Sequence, residues 1–335
     1  MDTPNMLMDL RTVEQLAAEG RYADLVAYVE GRQSLGEALE GSPTLALLYG
    51  TAHARLGRLA EGDRWVALAL QRARERGDRA IEVRALNARG AIALEGGRLD
   101  EAAEHFRRAL AGASDQGDHA TMGRCANNLG IIASVRGDHA GAVGSYTMAQ
   151  AAFSRAGYRR GIVDTHHNLA IAYREQGQLE RALAEAERAV EVSHEVGDPG
   201  LAAQALAGRA EIRASMGDAA MARREAEAAL AAHRETGDVV GESEDLRVLA
   251  AARAADGETD EPVRLLREVI ERAKAHARPL LAATAERDLA RVLELAGKRE
   301  EALQSATVAR DEFAELGALG ERQKIEQWMA GWGAR

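Results

Sequence analysis

Residues 135–142, VRGDHAGA, decide the fold, because the glycine near their centre, Gly137, belongs to a series. Forty residues back lies Gly97, in EGGRLDEA (95–102), and forty before that Gly57, in RLGRLAEG (55–62). Forward at the same interval come Gly177, Gly217, Gly257 and Gly297. A second series runs 20 residues out of phase: Gly77, Gly117, Gly157, Gly197, Gly237 and Gly317, with Ala277 as the exception. Asp78, Asp118, Asp198 and Asp238 follow four of these glycines directly. The chain is punctuated every 20 residues by two alternating kinds of turn.

The segments between turns read as helices. LDEAAEHFRRALAGASDQ (99–116) contains no proline and sets Ala102, Ala103, Phe106, Ala109 and Leu110 along one buried stripe. A glycine supplies the left-handed residue that ends one helix, and the aspartate after it can accept from the free N–H groups of the next. Pro43, Pro199 and Pro279 fall at first-turn positions, where a missing N–H costs nothing, and Pro262 falls near a helix start. Each 40-residue unit is therefore a pair of antiparallel helices. One such pair cannot bury its own apolar face, whereas stacked pairs share a continuous core. The expected class is all-α, an α-solenoid of stacked helix pairs.

Composition agrees. Of the 335 residues, 46% are apolar but only 4% aromatic, so the core is built from Ala, Leu and Val in closely packed helices. The net charge of −10, spread without a basic block, disfavours nucleic acid as a partner. The single cysteine, Cys125, cannot form an internal disulfide. The opening MDTPNMLMDL has no basic segment followed by an apolar core, and no stretch approaches the length of a membrane span. The expectation is a cytoplasmic protein that does not engage a membrane.

Within the unit, Leu129-Gly130, Gly137, Ala142, Tyr146 and Ala149 recur as Leu169-Ala170, Gly177, Ala182 and Ala189, and as Gly90, Gly97, Ala102, Phe106 and Ala109. Small residues at these offsets let two helices touch while the larger one fills the gap between them. This pattern resembles the tetratricopeptide repeat. Its 40-residue period is similar to the longer-repeat subclass of kinesin light chains and of bacterial peptide-sensing regulators. The resemblance implies a superhelix of seven units over residues 38–317. A degenerate helix pair over 1–37 would precede it, and a capping helix over 318–335 would follow, with Ile325, Trp328, Met329 and Trp332 covering the last apolar face.

The resemblance also implies that the first helix of each pair lines a concave groove. The residues it places there are Arg84 and Asn87; Arg124, Asn127, Asn128 and Ile131; and His167, Asn168, Ile171 and Arg174. Glu175 follows Arg174 in the same unit, and Glu211, Arg247, Arg287 and Arg291 extend the groove positions into later units. An asparagine can donate to and accept from an extended peptide backbone, isoleucines can form an apolar pocket, and arginines can hold carboxylates. The plainer alternative is that the asparagines bond to neighbouring repeats and that Ile131 and Ile171 pack against them. The chaperone-tail clamp of some relatives is disfavoured, because Ile131 and Asp164 stand where it uses asparagine and lysine.

Nothing points to an enzyme. His166 and His167 are adjacent, hence about 100° apart on a helix, a poor pair of metal ligands. No phosphate loop of the GxxxxGK[ST] type occurs. Cys125 reads as a small core residue rather than a nucleophile. The expected function is a non-enzymatic scaffold that holds a protein or peptide in its groove, without cofactor, metal or catalytic residue. The alternative is a peptide-responsive sensor whose solenoid changes pitch to control an effector. Self-association through the apolar C-terminal cap is a further expectation.

Overall fold

The structure, a computed structural model, describes residues 3–332 as eighteen α-helices, with no strand among the described residues. Both glycine series take left-handed backbone angles, from Gly57 at φ +78° to Gly317 at φ +69°. Ala277 adopts the same conformation at φ +51°, the one non-glycine residue among those described to do so, which keeps the 20-residue register unbroken. Asp78, Asp118, Asp198 and Asp238 each accept from backbone N–H groups two or three residues ahead, at 2.9–3.1 Å. Pro43, Pro199 and Pro279 open their helices.

The chain forms two compact units that divide between Cys125 and Ala126. In the first unit, α1 (Thr3–Ala18), α2 (Tyr22–Glu30) and α3 (Gln33–Ala38) pack on α4 (Pro43–Arg55). Their core joins Val13, Leu25, Val29, Leu35, Leu45 and Tyr49. The helices α5 (Leu59–Arg76), α6 (Arg79–Glu95) and α7 (Leu99–Gln116) continue the stack, and α8 (His119–Val135) contains the unit boundary. A Cβ at Gly90 would meet the Phe106 ring at 2.6 Å, so the small residue is required by the ring that fills the gap.

The second unit runs on through α9 (His139–Ala156), α10 (Arg159–Glu175), α11 (Leu179–Val196), α12 (Pro199–Ser215) and α13 (Ala219–Thr236). It ends with α14 (Val239–Ala255), α15 (Asp260–Ala275), α16 (Pro279–Leu295), α17 (Arg299–Glu315) and α18 (Leu319–Trp332). Gly130 repeats the role of Gly90, facing the Tyr146 ring. The core is alanine-rich between α9 and α13 and gains Leu and Val from α14 onward.

Helix α18 covers the end of this core. Ile325 is buried, and Trp328 and Met329 pack beside it, with Trp328 Nε1 donating to Glu294 Oε2 at 2.9 Å. The Trp332 side chain lies outside the described residues. The same helix also reaches the beginning of the unit. Gly320 lies so close to the Gly137 turn that a Cβ there would come within 2.5 Å of Gly137 Cα, and Lys324 bonds to Glu175 across 149 residues of sequence.

Candidate functional site

The first helices of successive pairs, α10, α12, α14 and α16, direct the C-terminal halves of one face toward a common pocket of about 420 Å³, which α18 borders. The 40-residue period explains this. Arg247 and Arg287 occupy one position of the unit, Glu211 and Arg291 another, so a single helical face recurs around the pocket.

The side chains there form a closed ring of ion pairs. Arg174 Nη1 meets Glu211 Oε1 at 2.7 Å, and Arg247 holds both Glu211 oxygens at 3.0 and 3.1 Å. Arg247 also donates to Asp288 at 3.1 Å, and Arg287 to Asp288 at 2.8 Å and to Glu321 at 2.5 Å. Lys324 then links Glu321, at 2.8 Å, to Glu175, at 2.7 Å, and Glu175 returns to Arg174 at 2.7 Å. Four cations and four carboxylates alternate, and none of the eight side chains is more than a third exposed.

Burial by itself would raise the carboxylate pKa values, but the adjacent cations outweigh it. Arg174 and Lys324 hold Glu175 down to about 2, and Arg174 and Arg247 keep Glu211 well below the ordinary range. For the guanidiniums the opposite balance holds. Burial opposes their charge, yet Glu211 and Asp288 raise Arg247 well above the usual arginine value. The four carboxylates are therefore ionised at neutral pH. Arg291, the fifth cation lining the pocket, is exposed and makes no ion pair among the described residues. The crowding of the pocket wall, followed by the Arg287 guanidinium, presses its pKa down.

The residues singled out in the sequence have varied surroundings. Arg174 stands in the ring. Asn168 Nδ2 donates to Asn127 Oδ1 at 2.9 Å, so these two amides bridge α8 and α10 and use part of their capacity on each other. Asn128 is half-buried. Ile131 is half-buried too, packing with Tyr146 and Leu169 rather than standing free, and Ile171 is likewise half-buried. The His167 ring lies against Gly208 of α12, where any Cβ would strike it, and burial lowers its pKa, which keeps it neutral. In the first unit, Arg84 and Arg124 are exposed, while Asn87 Oδ1 accepts from the Cys125 thiol at 3.4 Å.

Three ring members, Asp288, Glu321 and Lys324, did not emerge from the sequence pattern. Glu321 and Lys324 sit three residues apart on the helix expected only to cap the core; that i, i+3 acid–base pair is the one local signal they carry. Elsewhere, burial pushes the Cys125 thiol up to about 12, too high for a thiolate nucleophile. His166 is buried and bonds Glu185 at 2.6 Å. Among the described residues no group of three His, Cys, Asp or Glu side chains could hold a metal ion, and no helix is long and apolar enough to cross a membrane.

The tetratricopeptide repeat family model matches residues 42–115 and 118–195. A search of curated proteins found no match. Among solved structures, the fold is similar to a Rap protein complexed with competence and sporulation factor, at TM-score 0.64 and 13% identity over 98% of each chain. It is similar to aspartyl phosphate phosphatase F from Bacillus subtilis, at TM-score 0.65 and 15% identity, covering 92% of this chain and 80% of that one. NprR in complex with its cognate peptide NprX aligns over 100% of both chains, at TM-score 0.63 and 15% identity. At such identities the likeness is one of fold. The repeat model is matched over those two segments and the same 40-residue register continues to the turn at Gly317, so the fold is an α-solenoid with tetratricopeptide repeats at residues 42–115 and 118–195 that resembles the fold of the Rap and NprR structures.

Proposed function

We propose that the protein is a non-enzymatic binding scaffold whose second unit holds a peptide, or a peptide-like segment of a partner protein, along the inner face of its first helices. The observation that carries this reading is the convergence of four successive first helices on one polar-walled pocket of about 420 Å³. That volume lies at the lower end of the roughly 300–1,000 Å³ typical of ligand sites. The pairing of Asn127 with Asn168 adds a polar rung on neighbouring helices of the same unit, and each amide has a second polar atom with which to meet a backbone. That NprR was solved with its cognate peptide supports a peptide as the class of ligand. In this reading residues 1–37 lead the array, 38–317 carry seven repeats and 318–335 close it.

The contact of α18 with the Gly137 turn and with Glu175 favours a second reading, a sensor in which the bound peptide changes the pitch of the unit. Selection from a displayed library of short peptides tests the first reading. Enriched peptides should lose at least tenfold in affinity for the Asn128→Ala and Asn168→Ala variants, with the helical circular dichroism unchanged. Undiminished binding by both folded variants would refute the assignment. The sensor reading requires the radius of gyration in small-angle scattering to change when the enriched peptide is added.

A further inference from the structure

The charge balance of the pocket reaches beyond its architecture. The eight ring members pair off completely, four positive against four negative, and the residual charge belongs to Arg291 alone. One turn further along α16, at i+4 and therefore on the same helical face, stands Leu295. This leucine is 69% exposed although it lines the pocket, whereas Leu281, Leu289 and Leu293 on the same helix are buried and Leu280 is half-buried. An unpaired guanidinium and an uncovered leucine thus lie side by side at the mouth of a preformed cavity.

We propose that this is a subsite for the C-terminal end of a peptide with an apolar last residue: Arg291 takes the terminal carboxylate, and Leu295, with Leu179 of the same pocket lining, seats the last side chain. The inference rests on the peptide reading above and specifies which end of the peptide enters. A guanidinium presents parallel N–H donors that match the two oxygens of a carboxylate. The excess charge is a single unit, which one carboxylate neutralises. A phosphate dianion would bring a second negative charge toward Glu321, Glu175 and Asp288, already satisfied by the ring. The cavity accommodates one or two terminal residues, not a folded domain, so the rest of the peptide runs outward along the first-helix face.

The test is a pair of immobilised hexapeptide libraries, identical in sequence and differing only in a free or an amidated C-terminus, probed with the full chain. Free acids ending in Leu, Ile, Val, Met or Phe should bind at least tenfold more tightly than their amides. The Arg291→Gln variant should lose that preference to within twofold, and Arg291→Lys should keep part of it. Because Arg291 is exposed and outside the ring, both variants should melt at the wild-type temperature. Amides that bind as well as acids, or an acid preference that survives Arg291→Gln, would overturn the subsite and leave the peptide reading standing. If neither library binds, both readings fall.

Discussion

Glu211→Gln tests whether the ring of ion pairs holds the second unit together. The carboxylate lies between two guanidiniums, 2.7 Å from Arg174 and 3.0 and 3.1 Å from Arg247, and only 8% of the residue is exposed. At about 4 Å and an effective dielectric near 20, each attraction is worth ~4 kcal/mol before desolvation. Removing one member of a buried pair costs roughly 3–5 kcal/mol, since the remaining charges stay buried and uncompensated. Glutamine retains the shape and one acceptor, and the ring borders an open pocket, so the expected loss lies at the low end, about 3 kcal/mol. For a unit the size of residues 126–335 this corresponds to a fall in melting temperature of roughly 6–12 °C.

The pH dependence of that loss follows from the sign of the shift. Glu211 is held well below its ordinary 4.5, so its contribution is present above that value and disappears as pH falls through the depressed one. The gap between wild type and variant, followed by circular-dichroism melting, should be constant near neutrality and shrink progressively in acid. The Glu211→Leu/Arg247→Met double variant, which removes both charges, should be less unstable than the two single losses combined. A melting change below about 2 °C at pH 7, or a gap that is unaltered in acid, would refute the idea that the ring stabilises the unit.

Two further outcomes test the helix pairs themselves. His233 is 4% exposed, with Nδ1 2.5 Å from Asp245 Oδ2 and Nε2 donating to the Gly200 carbonyl at 3.2 Å. The bond to Asp245 raises the histidine and burial raises Asp245, so a proton is held between them above histidine's ordinary 6.5, with Asp238 and Glu244 as the other charges facing the pair. Stability from this pair is complete below pH 6.5 and lost as pH rises through the raised value; wild-type melting should fall across that window, and His233→Asn should flatten the curve. A fall of the same size in His233→Asn would refute the assignment to this pair. Ala277→Gly relieves a left-handed alanine, whose strain is roughly 1–2 kcal/mol, against a cost of about 0.5–1 kcal/mol in chain entropy. The variant should melt slightly higher than wild type, and a lower melting temperature would show that the turn is unstrained.

The fold was legible because every 20 residues the backbone requires a left-handed residue, and that demand leaves a mark in one residue type. Even Ala277 fits, since position rather than identity sets its conformation. The site was legible in register but not in emphasis. Asn127, Asn128 and Ile131 drew attention because they are unusual within their own unit, yet Asn127 bonds Asn168 and Ile131 packs beside Tyr146. Arg247 and Arg291, which stand three and four periods on at the positions of Asn127 and Ile131, line the pocket. Periodicity specifies which face a side chain shares; whether that face is spent on a neighbouring repeat or left to a cavity depends on the size and charge of what the adjacent repeat offers. The closing partner of Glu175, Lys324, had no periodic signal at all, because α18 belongs to no repeat and meets α10 only through the accumulated rotation of the helices between them. A solenoid thus encodes its core in nearest neighbours. Its pocket, made by the return of a distant helix, depends on every intervening turn, so an altered turn far from Arg291 would still change what the pocket can hold.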